Sequence, residues 1–305
     1  MLHTLDLCSG VGGVTLAFHN AGFKTSFACD VNPKVKQTYD LNFTKPKLVV
    51  DDIFGISPSY YPDFDVLVAG FPCQAFSVSG KRLGFKEEGR GTVFFQLAEI
   101  LRIRKPQAFL FENVKGLVGH DEGRTFETIK DVLKSLGYHI HYKVLNSKNF
   151  NVPQNRERIF IVGFKDEVDF KFPEDLTRET KVEDLLEDVV DPSYYITPDH
   201  KHHDAIIEGV TRTDTVYQWR RNYIRENKSK VCPTITASVG GVLTLVKTDK
   251  GVRQLTPREL FRFQGFPDSY QLPDIPYVTL HHQAGNSVTV PVVEAIAKEM
   301  MKVLG

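Results

Sequence analysis

Along the first 165 residues, short apolar runs closed by glycine, proline or an acidic residue alternate with stretches of helical period. Residues 2–7, 25–29 and 47–50 read as strands, and residues 65–69 as a buried strand that breaks at Gly70. Ala108-Phe109-Leu110-Phe111 is apolar throughout, the pattern of a strand covered on both faces. Residues 138–145 and 158–163 add two more strands. Between them, residues 14–21 (with Gly22 as C-cap), 92–103 (stopping before Pro106) and about 123–136 read as helices. Strand and helix in alternation predict an α/β fold with a doubly wound, mostly parallel, Rossmann-like sheet. Near the end, Thr256-Pro257-Arg258-Glu259 is a capping box that opens a helix to about Gln264. A last helix over 292–304 is expected to return to the first domain. The expected division is a catalytic domain of residues 1–165 plus 253–305, and a smaller domain of residues 166–252.

Composition narrows the class. With 305 residues, 41% hydrophobic and 25% charged, the chain has the make-up of a soluble globular protein large enough for two domains. No apolar run approaches the ~18 residues of a membrane span, and no basic-then-apolar signal segment opens the chain, so a cytoplasmic protein is expected. Cys8, Cys29, Cys73 and Cys232 are scattered, which predicts reduced thiols and no metal site. The net charge of zero hides a polarised second half. Residues 174–191 are acidic, whereas residues 212–230 are basic and carry Tyr217, Trp219 and Tyr223, a composition suited to a phosphate backbone or to a solvated loop.

Candidate chemistry gathers at strand ends. The turn Cys8-Ser9-Gly10-Val11-Gly12-Gly13 follows the first strand, but it is not a full dinucleotide fingerprint and no phosphate-binding lysine follows it. Asp30 ends the second strand, where it would bind ribose hydroxyls or cap the next helix. Asp52, after the third strand, would accept from an adenine amino group. Gly70-Phe71-Pro72-Cys73-Gln74 leaves the fourth strand with a cysteine on a proline turn. Taken alone, Cys73 reads as a small buried hydrophobe. A neighbouring strand ending in Glu112 changes that reading, because a carboxylate at a buried strand end suits a general acid. The glycine-bearing basic stretch 76–86 reads as a lid. Arg156 and Arg158 would share one strand face, to bind a carbonyl or phosphate or simply to be solvated. Residues 234–241 form a small, polar, groove-facing loop.

In this order, Asp6-Leu7-Cys8-Ser9-Gly10-Val11-Gly12-Gly13, Gly70-Phe71-Pro72-Cys73-Gln74, Glu112-Asn113-Val114, Gln154-Asn155-Arg156-Glu157-Arg158, Arg253-Gln254-Leu255-Thr256-Pro257-Arg258-Glu259 and Gly285-Asn286-Ser287-Val288 form a set that resembles the DNA (cytosine-5)-methyltransferase family. The resemblance covers nearly the whole chain except about 166–252, and it is nearest to the compact bacterial or phage restriction–modification enzymes. It implies the S-adenosylmethionine-dependent methyltransferase fold, S-adenosylmethionine as methyl donor, cytosine in double-stranded DNA as substrate, and a target-recognition domain at 166–252. It implies Cys73 as nucleophile, Glu112 as proton donor at ring nitrogen 3, Arg158 on the base carbonyl and Arg156 as its companion. Donor-binding positions would be Leu7, Gly10, Gly12, Asp30, Val31, Asp52, Ile53, Gly70, Phe71, Asn286 and Ser287. DNA-binding positions would be Gln74, Ser79, Lys81, Arg82, Trp219, Arg220, Arg221, Thr234 and Gly240, around a flipped-out base. Cys8 and Val31 stand where the family commonly has aromatics, and Asp30 where it has Glu. A monomer is expected, accompanied in the cell by a cognate restriction endonuclease that it does not touch. Three rivals are an RNA cytosine-5 methyltransferase of the DNA-enzyme-like type, a catalytically silent DNA-binding module and a nicotinamide oxidoreductase.

Overall fold

The alternation of strand and helix builds a seven-stranded sheet in the computed structural model, which describes residues 1–71, 93–176, 179–220, 222–227, 230–237 and 242–305. In chain order the elements are β1 (His3–Leu7), α1 (Gly13–Asn20), β2 (Lys24–Asp30), α2 (Lys36–Asn42), β3 (Val49–Val50), β4 (Val66–Gly70), α3 (Val93–Arg104), β5 (Ala108–Val114), α4 (Arg124–Ser135), β6 (His139–Asn146), β7 (Gln154–Asn155) and β8 (Glu157–Phe164). There follow α5 (His203–Gly209), β9 (Tyr217–Arg220), β10 (Tyr223–Glu226), β11 (Cys232–Pro233), β12 (Val242–Thr248), β13 (Gly251–Gln254), α6 (Pro257–Arg262), α7 (Tyr277–Asn286) and α8 (Val290–Leu304).

The large sheet runs β3-β2-β1-β4-β5-β8-β6, parallel from β3 to β5, with β8 antiparallel to β5. Chain order reverses between β1 and β4, so the crevice of this open sheet lies at the carboxyl ends of those two strands. Leu5, Leu7, Leu67, Phe109 and Phe111 are fully buried, as their apolar runs require. Close packing also dictates glycine: a Cβ on Gly163 of β8 would fall 2.1 Å from the ring of Phe109 on β5. Gly12 is held at φ +83°, and a Cβ there would meet the Phe43 ring at 2.3 Å, so the turn before α1 tolerates no side chain.

The chain divides into two compact units, and their bounds differ from the expected ones. The first is Met1–Leu145, Glu157–Pro173 and Val293–Gly305, and the second is Asn146–Arg156 and Glu174–Val292. Residues 253–292 were expected with the catalytic domain, but their partners are elsewhere. β13 forms an antiparallel hairpin with β12 inside the sheet β10-β9-β12-β13, and β7 pairs with β11. Arg253 on β13 is then fastened to Glu259 of α6 by two contacts, Nη2–Oε1 at 2.6 Å and Nη1–Oε2 at 2.8 Å, with both side chains fully buried. The capping box read from the sequence is present: Thr256 Oγ1 accepts from Glu259 N, and Glu259 Oε2 accepts from Thr256 N. A second core of Ile206, Val210, Tyr217, Trp219, Leu245 and Val252 fills this unit. No helix among the described residues is long and apolar enough to cross a membrane.

Candidate active site

In the first unit, β4 and β5 lie side by side with Gly70 opposite Glu112, so both reach the same edge of the sheet. A Cβ on Gly70 would stand 3.5 Å from Glu112 Oε2, which places the glutamate against the last residue of β4. Arg158 lies opposite Val114 on the antiparallel β8, diagonal to Glu112 on the same face. Its Nε contacts Glu112 Oε1 at 3.0 Å, with both side chains mostly covered (17% and 13% exposed). A carboxylate placed there needs such a partner, because burial without one is costly.

The exit of β4 is held by two further features. Phe71 is buried between Phe94 and Phe111, with ring centroids at 6.0 and 6.1 Å. Its carbonyl accepts from Asn113 Nδ2 at 3.0 Å. Asn113 is a contributor that the sequence reading passed over. Its neighbour Glu112 carried the chemical signal, whereas a bond from a side chain to a distant backbone carbonyl leaves no periodic trace. Cys73, Gln74, Ser79, Lys81 and Arg82, with the expected lid at 76–86, lie outside the described residues, as do Arg221 and Gly240.

The glycine turn after β1 is braced from beneath. Asp30 at the end of β2 accepts from Gly10 N and Asn32 N, each at 2.8 Å. The cap weighed for Asp30 falls instead to Asn32, whose side chain accepts from Lys34 N at 3.1 Å, and burial pushes the Asp30 carboxyl above the usual range despite its two N–H partners. Each carboxylate oxygen keeps a lone pair for a ligand hydroxyl. A Cβ at Gly10 would meet nothing within 4 Å, so the turn faces open space. Beside Asp30, Val31 is 67% exposed, and Val50, opposite Asp30 on β3, is also exposed. Asp52 is exposed and accepts from Phe54 N at 3.1 Å. Carboxylates that can accept from hydroxyl or amino groups, next to bare apolar surface, suit a nucleoside. Leu7 and Ile53 are core residues behind this surface. Cys8 adopts φ +57°, uncommon for a side chain of its size, and burial pushes its thiol up, so it stays protonated. Asn286 and Ser287 belong to the second unit, where Asn286 is exposed and sits beside His282 at 3.2 Å.

Two expectations are overturned. Arg156 does not share a strand face with Arg158, because the strand breaks between β7 and β8 at Arg156 itself. Pairing of β7 with β11 takes residues 154–155 out of the β8 ladder. Buried Arg156 instead donates through Nη1 to Ile235 O at 3.0 Å and through Nη2 to Gly285 O and Ser287 O at 3.1 and 2.7 Å. A Cβ on Gly285 would lie 2.4 Å from the backbone of Thr236 and Ala237, so this glycine admits the irregular segment after β11 that Arg156 ties down. Trp219, expected on DNA, is 5% exposed and packs in the second core, with its ring 4.7 Å from that of His202. Alternation on β9 turns it inward. Thr234, two residues after β11 opens, donates its hydroxyl to Asn155 O at 2.7 Å. No cluster of three or more His, Cys, Asp or Glu that could hold a metal occurs among the described residues.

Comparison with known proteins adds to this geometry. A family model described as C-5 cytosine-specific DNA methylase matches residues 2–302. The chain is 47% identical to the type II methyltransferase M.Bsp6I of Bacillus sp. (strain RFL6), covering 99% of each chain. It is 44% identical to the type II methyltransferase M.NgoBI of Neisseria gonorrhoeae, covering 98% of this chain and 92% of that one. Among solved structures, a Dnmt2 methyltransferase of S. pombe matches with a TM-score of 0.78 at 22% identity over 99% of both chains, a likeness of fold.

Proposed function

The chain belongs to the C-5 cytosine-specific DNA methylase family, and from that premise we propose that it transfers a methyl group from S-adenosylmethionine to carbon 5 of a flipped-out cytosine in a specific duplex DNA sequence. The observation that carries this reading is the strand-end pairing of Gly70 with Glu112, with Arg158 3.0 Å from that carboxylate, at the point where the chain runs on to Pro72 and Cys73. Carbon 5 of cytosine is a poor nucleophile. Addition of the Cys73 thiolate to carbon 6 makes carbon 5 enamine-like, so one hard step becomes two easier ones. Glu112 holds ring nitrogen 3 and gives it a proton as the carbon–sulfur bond forms, which keeps the adduct neutral. Arg158 orients Glu112 and offers its remaining guanidinium hydrogens to the base carbonyl. S-adenosylmethionine supplies the electrophilic methyl group. The carbon-5 proton then passes to water as the thiolate is expelled, and the proton on ring nitrogen 3 returns to Glu112, which restores the neutral ring. Gly10, Gly12, Asp30, Val31 and Asp52 of the first unit hold the donor. The enzyme acts as a monomer on one base at a time, in a cell that also holds the cognate endonuclease.

The test is transfer of labelled methyl from S-adenosylmethionine to duplex DNA and, in parallel, to tRNA, followed by bisulfite sequencing of a plasmid expressed with the protein. Methylation of one duplex sequence is expected. Activity confined to tRNA would defeat the DNA reading. Cys73→Ser should abolish transfer while leaving donor binding intact, and unchanged turnover would remove Cys73 from the mechanism.

A further inference from the structure

Strand alternation gives the four-stranded sheet of the second unit two faces. Tyr217, Trp219, Ile224 and Leu245 turn onto the second core. The opposite face carries Gln218 and Arg220 of β9 and Tyr223 and Arg225 of β10, with Tyr223 opposite Arg220 and Arg225 opposite Gln218. Towards β13 this same face is closed: Val246 and Arg253 are fully buried, and Arg253 is fastened to Glu259. At the β9–β10 end it is open, with Tyr223 53% exposed and Arg225 exposed.

The cations of this region differ in what they meet. Arg212 and Lys230 each contact Asp214 at 2.8 Å, and Glu226 lies 3.7 Å from Arg212. Those charges are matched locally. Among the described residues this end of the face carries two guanidiniums, half-buried Arg220 and exposed Arg225, and no carboxylate, while Gln218 beneath them is covered at 7% exposed. Arg220 Nε donates to Gln218 Oε1 at 3.1 Å, so a neutral acceptor on the same strand steadies the guanidinium. A guanidinium gripped at Nε keeps its Nη1–Nη2 edge for a partner with two acceptors. In duplex DNA that partner is the N7 and O6 edge of guanine, and a two-stranded antiparallel ribbon fits the major groove that displays it.

We propose that this open face reads the DNA target: Arg220, positioned by Gln218, recognises a guanine, while Arg225 and Tyr223 grip the phosphate backbone. The proposal rests on the duplex-DNA reading above. Charge complementarity selects the occupant, since two arginines with no carboxylate among the described residues of their face suit a polyanion. An RNA helix is disfavoured because its deep, narrow major groove does not admit the ribbon.

The experiment uses the full-length enzyme and a library of duplexes randomised around the methylated cytosine, read by bisulfite sequencing. Arg220→Lys, which keeps the charge and loses the fork, and Arg220→Ala should lower kcat/KM on the preferred site by roughly 10- to 100-fold and abolish discrimination at one base position. Arg225→Ala should weaken binding alike for all sequences and reduce the slope of log affinity against log salt by about 0.9. Gln218→Leu should relax the same base position as Arg220→Ala and add nothing when combined with it. Melting temperature and donor binding serve as controls for folding. Arg220 variants that keep the wild-type sequence profile and rate overturn the proposal, as does an RNA duplex that competes as well as DNA. If the wild type methylates no DNA, the functional reading falls. A duplex-binding titration then still judges the face: guanine preference lost with Arg220 supports it, and binding indifferent to Arg220 overturns it.

Discussion

The side-chain amide of Asn113 donates to the backbone carbonyl of Phe71 at 3.0 Å, joining the end of β5 to the exit of β4. Asn113 is 2% exposed, so the bond is shielded from water. Removing it with Asn113→Ala leaves a covered carbonyl without its donor, at a cost of about 1–3 kcal/mol. Phe71 stands two residues before Cys73, so a looser strand end should also disturb the nucleophile. A lower melting temperature and a fall in kcat larger than the fall in donor affinity are expected. Steady-state kinetics beside donor titration check this, and an unchanged kcat would make the bond a matter of stability alone.

Glu112 offers a sharper separation of shape from chemistry. Glu112→Gln keeps the volume and an acceptor for Arg158, but an amide gives no proton to a ring nitrogen. Loss of one positioned acid is worth about 100-fold or more in rate. Turnover should drop by that order while donor affinity changes little, and the amide oxygen still accepts from the mostly covered Arg158, so thermal melting serves as the control for folding. A variant that turns over at the wild-type rate would take Glu112 out of the reaction.

What the sequence disclosed follows from how each feature is encoded. β4 and β5 were legible because an apolar run closed by glycine or glutamate is a local pattern, and their adjacency follows from doubly wound topology. Arg156 was misread because the break in its strand depends on pairing with Cys232 and Pro233, more than 70 residues away. Trp219 was misread because composition marks a basic, aromatic segment without saying which way a strand faces. Its burial is set by the partners Ile224 and Leu243 on β10 and β12. The unit boundary near 292, rather than 253, depends on the β12–β13 hairpin, a long-range arrangement that the motif at 253–259 does not announce.

The Arg253–Glu259 pair is fully buried, and Glu259 also accepts from Glu187 N and Thr256 N at 2.8 Å each. Arg253→Met leaves that carboxylate without its cation. Breaking a buried pair from one side costs about 3–5 kcal/mol. The second unit should therefore lose stability more than any exposed Arg→Met control. Replacing both partners, as Arg253→Met with Glu259→Gln, should recover part of the loss because no buried charge remains. Chemical denaturation of the wild type, the single and the double variants decides it, and a double variant weaker than the sum of the two singles would show that the pair is not the coupled unit described.

Asp6 lies at the end of β1 just before the glycine turn. It is fully buried on β1, its Oδ2 accepts from Thr15 Oγ1 at 2.6 Å, and its Oδ1 has no hydrogen-bond partner among the described residues. Desolvation, opposed in part by the Thr15 hydroxyl, pushes its carboxyl up to about 7 from 3.8. The folded chain thus holds this proton until near neutrality, whereas the unfolded chain releases it near pH 4. Between those values the folded state binds more protons, so stability from this group is complete below pH 4, falls as pH rises, and levels off above pH 7. Full ionisation costs roughly 4 kcal/mol by this reasoning. Asp6→Asn has no proton to lose. Its stability relative to the wild type should rise from pH 4 to pH 7 by a few kcal/mol and stay constant above. Urea unfolding at a series of pH values measures the gap directly. Parallel curves for the two proteins across that window would mean that Asp6 is ionised in the fold, with a partner for Oδ1 yet to be found.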